Sequence, residues 1–173
     1  MSDGVEVWSG GVNTWECDEM GHLNVRFWVA KAMEGFSAFI AEMGLPRAFS
    51  PEAKTTVLVQ EHHMRFLKEA RAGAALWMSG SVVELGADWA QLALVIRHAD
   101  GTPGAPFQTR AVHVATADLK PCPWPEAVLA RAKAMAPPDH TATAPTAAKP
   151  VMNMMRSSGW RAAASTRRQA ASK

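Results

Sequence analysis

Apolar residues recur at three- and four-residue steps from about Asn24 to Met43: Phe27, Ala30, Met33, Phe36, Phe39, Ile40 and Met43. That period predicts an amphipathic helix. Lys31, Glu34, Ala38 and Glu42 fall mainly on another side. Gly44 stands where a C′ residue belongs, and Pro46 follows it, so the helix stops there. At 1.5 Å per residue the segment is roughly 30 Å long, and its apolar face needs a broad surface to cover. Four runs rich in Val, Leu, Thr and Trp supply one, at residues 54–67, 74–85, 89–99 and 106–119. Gly73, Gly86-Ala87-Asp88 and Asp100-Gly101 separate them, and the Asp-Gly pair marks a hairpin. Upstream, residues 5–15 read as a first strand, with a bulge or bend at Gly10-Gly11. The order is strand, long helix, four strands. This predicts an α+β fold in which consecutive strands form an antiparallel meander and the helix packs across it.

The pattern fades after Leu119. Pro121, Pro123 and Pro125 form a stiff connector, and residues 126–135 suit a short helix. From Pro137 the chain is mostly Ala, Thr, Pro, Ser and Arg, with Val151–Met155 and Trp160 as its few large apolar residues. Residues 1–136 are therefore expected to form one domain, and residues 137–173 a basic, low-complexity, disordered tail. Charge supports the division. Six basic side chains and no acid lie beyond Thr141, which leaves 12 basic against 16 acidic groups before it. An acidic body argues against nucleic-acid binding through a basic face. No apolar run approaches the roughly 18 residues of a membrane span. The first residues lack the basic and apolar regions of a signal peptide. Cys17 and Cys122 make no disulfide framework. A reducing, cytoplasmic setting is the expectation.

Candidate chemistry concentrates in Trp15-Glu16-Cys17-Asp18-Glu19-Met20-Gly21-His22-Leu23-Asn24, just ahead of the apolar helix. Taken alone, Asp18 reads as a cap or turn residue. Gly21 permits close approach of a ligand to the backbone. A helix start also offers unpaired N–H groups able to polarise a carbonyl.

The run Asp18-x-x-Gly21-His22-x-Asn24, followed by Phe27-Trp28, resembles the signature of the hydroxybenzoyl-CoA thioesterase family of hotdog proteins. The resemblance covers roughly residues 5–125 and extends to Phe66-Leu67-Lys68-Glu69-Ala70-Arg71-Ala72-Gly73. It implies a hotdog domain, a long central helix wrapped by a curved five-stranded antiparallel sheet. It implies hydrolysis of an acyl-CoA thioester to a carboxylic acid and CoA, without a cofactor. Asp18 would be the catalytic carboxylate, either as nucleophile or as general base. Gly21 and His22 would lend backbone N–H groups to the oxyanion, and Asn24 would shape the site or cap the helix. Active sites of this family lie at subunit interfaces, so a homodimer or larger homo-oligomer is implied. The sequence departs from the family pattern at Glu16 (often Asp), at Val25 (often a second Asn), and at Phe27-Trp28, where a Tyr is usual; the chain has no Tyr. These departures bear on acyl specificity rather than on the reaction. The alternatives are a hotdog protein that binds acyl thioesters without turnover, and a thioesterase acting on acyl-carrier protein.

Other residues carry weaker expectations. Met33 and Phe36 are candidate linings of an acyl slot. Glu61 is a candidate second acid contributed across a dimer interface. Arg65, Lys68 and Arg71 are candidate partners of CoA phosphates. His62 and His63 are strand neighbours and point to opposite faces. No Cys or His spacing suggests a metal site.

Overall fold

The structure is a computed structural model that describes residues 4–136. The tail expected from residue 137 onward lies outside the described residues. The first strand, β1 (Val5–Gly11), is followed by a single 3-10 turn at Thr14–Glu16 and an 18-residue helix, α1 (Val25–Glu42). Four strands come next: β2 (Thr55–Met64), β3 (Ala75–Leu85), β4 (Trp89–His98) and β5 (Pro103–Ala115). A short helix, α2 (Glu126–Ala134), closes the described chain.

Both ends of α1 are set by local chemistry. Asn24 is the N-cap, and its Oδ1 accepts the Arg26 N–H at 3.0 Å. At the other end the Gly44 N–H reaches Ala41 O (2.9 Å) and the Leu45 N–H reaches Ile40 O (3.1 Å). These paired bonds make a Schellman motif. The helix lies close to the sheet because the sheet has a glycine under it. A Cβ at Gly80 would come within 2.8 Å of the Phe39 ring and 2.9 Å of Leu94.

The five strands form one antiparallel sheet in the order β1-β3-β4-β5-β2. The expected meander holds for β3, β4 and β5. It fails for β2, which pairs with β5 at the far edge and leaves the flank of β3 to β1. Residues 65–74 make this crossing. Ten residues can extend some 33 Å, whereas three strand spacings need only about 14 Å. The linker is tied down along its course: Arg65 N–H to Pro106 O (3.0 Å), Leu67 N–H to Gly104 O (2.8 Å), and Gly73 N–H to Val12 O (2.8 Å).

Two further expectations need correction. The irregularity in β1 lies between Glu6 and Trp8, and Gly10 and Gly11 pair regularly with Leu76 and Ala75. Gly10 answers a packing need instead, since a Cβ there would sit 2.7 Å from the Trp8 indole. The buried face of α1 is also rotated from the expected one. Trp28, Lys31, Ala32, Gly35, Phe36, Phe39 and Ile40 are buried, while Ala30 is exposed and Phe27 and Met33 are half-buried. Lys31 goes inward because Glu16 is there to receive it: Nζ lies 2.8 Å from Glu16 Oε1 and 3.0 Å from Gly11 O.

Candidate active site

The turn between the 3-10 turn and α1 is built around one carboxylate. The Asp18 N–H donates to His22 O (2.9 Å), and the Gly21 N–H donates to Asp18 O (3.0 Å). Closing so tight a loop puts Gly21 at φ 77°, a conformation that disfavours a side chain. Asp18 Oδ1 accepts the N–H of Met20 (2.9 Å) and of His22 (3.1 Å). Asp18 is therefore a turn residue, as its bare context suggests. Yet the turn uses only Oδ1, and Oδ2 has no partner among the described residues.

Glu16 anchors this turn from below. Its Oε2 accepts the Asn13 N–H (2.8 Å), its Oε1 meets Lys31, and its carbonyl accepts the Asn24 N–H (2.9 Å). Burial alone would raise the Glu16 pKa. The Asn13 bonds and the Lys31 bond and charge outweigh that and hold it below the usual carboxylate value.

Asp18 opens onto a cavity of about 470 Å³. Its lining comes from three places. Asp18, Met20, His22 and Leu23 come from the turn, Val25 and Trp28 from the first turn of α1, and Phe66, Leu67, Lys68 and Glu69 from the crossing linker. The Leu23 N–H donates to Ala70 O at 2.7 Å, which ties turn to linker. Trp28 and Phe66 face each other at 6.3 Å between ring centroids. Lys68 leans away to Asp100 (3.2 Å) at the rim. The Thr102 backbone and side-chain bonds, then Lys68, depress the Asp100 pKa to about 2.

The expected site residues divide into two groups. Asp18, His22 and Lys68 meet at the cavity, and Arg71 reaches His22 Nε2 at 2.8 Å; Gly21 closes the Asp18 turn and Asn24 caps α1, and neither lines the cavity. The Gly21 and His22 N–H groups, expected to face an oxyanion, donate in this structure to Asp18, to its carbonyl and its Oδ1 respectively. Helix α1 begins later, at Val25. As first residue of the helix, Val25 has an N–H with no intrahelical acceptor, and it borders the cavity. Met33, Phe36, Glu61 and Arg65 do not line the cavity. Phe36 is buried against Phe49, Glu61 is exposed on edge strand β2 opposite Arg110, and Arg65 is exposed. Val25, Trp28, Phe66, Leu67 and Glu69 were not singled out as lining residues by the sequence. Spacing from the Asn24 cap was the available signal, since Val25 and Trp28 stand three apart on one helix face.

His62 lies half-buried with Nδ1 2.9 Å from Thr109 Oγ1, while its neighbour His63 is exposed. Burial, then the nearby His63, lowers the His62 pKa. Among the described residues no three His, Cys, Asp or Glu side chains converge as a metal site. No described helix is long and apolar enough to cross a membrane.

Solved structures share this architecture. Protein SAV2348 from Staphylococcus aureus, solved in complex with CoA, superposes with a TM-score of 0.68 at 14% identity, over 81% of this chain and 91% of that one. A thioesterase from Thermus thermophilus, complexed with coenzyme A and Zn, gives 0.64 at 17% identity, over 78% and 97%. Slr0204 of Synechocystis, a 1,4-dihydroxy-2-naphthoyl-CoA thioesterase, gives 0.63 at 16% identity, over 73% and 93%. No curated protein matches the sequence. A family model described as the thioesterase-like superfamily matches residues 12–132, a span that takes in the Asp18 turn, the cavity and every strand but β1. The chain belongs to the thioesterase-like superfamily, and thioester hydrolysis is its chemistry.

Proposed function

We propose that this protein hydrolyses an acyl-CoA thioester, with Asp18 as its catalytic carboxylate. The finer hotdog description, a long central helix wrapped by a curved sheet, goes with this reading. One observation carries the assignment of Asp18. Its carboxylate is fixed through Oδ1 by two backbone N–H groups and leaves Oδ2 unengaged at a cavity wall. A carboxylate that is held but not used up suits attack on a carbonyl or activation of a water.

The thioester carbonyl oxygen belongs at the start of α1. There the Val25 N–H and the positive end of the helix dipole stabilise the charge that develops on it. As nucleophile, Asp18 bonds to the acyl carbon and displaces CoA as thiolate, and water then cleaves the mixed anhydride. As general base, it takes a proton from water while that water attacks. Both routes consume one water and yield an acid and a thiol. Trp28, Phe66 and Leu67 provide an apolar wall for the acyl group, and Lys68 and Arg71 offer positive charge toward the CoA end.

A homodimer completes the proposal. Met20, Val25, Phe66 and Leu67 are each half exposed or more, an apolar rim of the kind that marks an association surface.

The test is thiol release across short, medium and aromatic acyl-CoAs, without added metal. Wild type should release CoA from at least one of them. Asp18→Asn should lose about two or more orders of magnitude in turnover while keeping its fold. Near-normal activity in Asp18→Asn removes the assignment, and no release from any substrate removes the reaction.

A further inference from the structure

Two walls of the cavity are fixed by one residue that is not part of its lining. Gly104, near the start of β5, is left over where the β4–β5 register shifts: Ile96 pairs with Ala105 and Arg97 with Pro103. The Gly104 carbonyl accepts the N–H of Leu67 (2.8 Å) and of Lys68 (3.2 Å), which fastens the linker wall. Its α-carbon supports the wall that Trp28 forms. A Cβ there would lie 2.9 Å from Trp28 Cη2 and 3.2 Å from His98 Nε2. The indole and the imidazole thus close on the space where a side chain would stand. A Cβ contact under 3.0 Å does not persist in a folded protein, so any side chain at position 104 must displace the indole.

Trp28 and His98 are both buried. Strand β4 alternates, with Ala90, Leu92, Leu94, Ile96 and His98 as its buried positions, so the imidazole stands on the core side of the sheet. The His98 backbone is held in place. Its N–H donates to Thr102 O (2.9 Å), and its carbonyl accepts the Trp77 Nε1 proton (3.0 Å). Its buried Nε2 has no hydrogen-bond partner among the described residues. What the ring supplies at this point is therefore bulk. Trp28 has Gly104 and His98 behind it and the cavity of about 470 Å³ in front. Atoms added to a packed core force their neighbours to shift, and the cavity is the space open to Trp28. A displaced indole moves forward, toward the Phe66 ring 6.3 Å away between centroids.

We propose that Gly104 and His98 form the seat of Trp28 and thereby set the size of the acyl group that the site accepts. A side chain at position 104 brings the indole wall forward and shortens the acyl slot. A smaller residue at position 98 lets the wall settle back and lengthens it. Neither residue lines the cavity, so both are positioning residues that act through Trp28. The proposal rests on the reading of Trp28 as part of the acyl wall and adds what fixes the depth of that wall.

The experiment uses the full chain and the variants Gly104→Ala, His98→Ala and the two combined. Each is assayed for thiol release from straight-chain acyl-CoAs, butyryl to lauroyl. Calorimetry then measures binding of the matching S-alkyl-CoA thioethers, which needs no turnover. In Gly104→Ala the preferred chain should shorten, each methylene that the slot no longer holds costing about tenfold or more in kcat/KM. His98→Ala should move the preference to longer chains. In the combined variant the added methyl group has the space that the imidazole left, so the profile should return toward wild type. A seat that only held the fold together would lower every acyl-CoA alike. That result overturns the proposal, as does a wild-type length profile in Gly104→Ala. If Gly104→Ala does not fold, His98→Ala decides, since it adds no atom, and an unchanged length preference there overturns the seat. Thioether affinities whose length preferences move in opposite directions, in a protein that cleaves no thioester, uphold the seat and sink the hydrolase reading. Normal cleavage with one profile in every variant does the reverse.

Discussion

Replacing Lys31 by Met tests whether the buried ion pair beneath the site holds the fold together. The Lys31 and Glu16 side chains are only 7% and 11% exposed and meet at 2.8 Å. Met fills much of the same volume but leaves Glu16 charged, buried and without a cation. Removing one partner of a buried pair costs about 3–5 kcal/mol, a large part of the roughly 5–15 kcal/mol by which domains are stable. For a folded unit of this size, roughly 3–4 °C per kcal/mol predicts a Tm about 10–20 °C lower. The pH dependence has a definite sign. The folded-state pKa of Glu16 lies below its ordinary 4.5. Its contribution to stability is thus present above about pH 4.5 and is lost as pH falls through the folded value. In Lys31→Met only the Asn13 bonds still oppose burial, so the deficit against wild type should be largest near pH 7 and shrink in acid. Urea unfolding followed by circular dichroism between pH 3 and 8 measures this. A second change, Glu16→Gln in the Lys31→Met background, should recover part of the loss, because it removes the stranded charge. A Lys31→Met protein within about 1 kcal/mol of wild type at pH 7 would refute the reasoning, as would a deficit that grows in acid.

Val25→Pro deletes the proposed oxyanion donor and little else, since proline suits the first position of a helix and Asn24 already has the extended backbone that a following proline requires. Its kcat should fall by about 10²–10³ with the unfolding midpoint nearly unchanged, and equal activity in Val25→Pro and Val25→Ala would contradict the assignment. A chain ending near residue 138 retains every described element, including the Val82 N–H bond to Met135 O (3.0 Å). It should keep its fold, self-association and most of its thiol release, and unfolding or inactivity on sedimentation and assay would move the domain boundary.

Much of the fold is legible because local rules and packing agree. Asn24 as a cap, Gly44 as its C′ counterpart and the Asp100-Gly101 hairpin all act over four or five residues, and all sit where their chemistry places them. The limits appear where a residue answers to something distant. Nothing near β2 says that its partner is β5 rather than β3. That choice depends on a linker of ten residues and on β1 already occupying the flank of β3. Lys31 reads as a solvent residue by composition, and only the arrival of Glu16, fifteen positions upstream, turns it inward. Gly10 reads as a bulge and is a clearance for Trp8, because a glycine's lack of a side chain can serve the backbone or a neighbour equally well.

The site divides along the same line. The Asp18-x-x-Gly21-His22-x-Asn24 spacing locates the carboxylate, the left-handed glycine and the helix cap, which are local features. It cannot say which backbone N–H groups remain unpaired, because that depends on how a turn closes. The Gly21 and His22 N–H groups that the motif suggests as donors bond to Asp18 instead. Val25, a few residues on, where the first turn of α1 begins, lines the cavity and has a backbone N–H with no acceptor in the helix. An aliphatic side chain at that position gives no hint of its use, since the chemistry lies in its backbone. The linker contributes the other wall for a topological reason. The crossing from β2 to β3 must pass the start of α1, and so Phe66, Leu67 and Glu69 come to face Asp18 nearly fifty residues away in sequence. The crossover that defeats the meander expectation is therefore also what encloses the site. A change that shortens residues 65–74 should damage turnover before it damages the sheet.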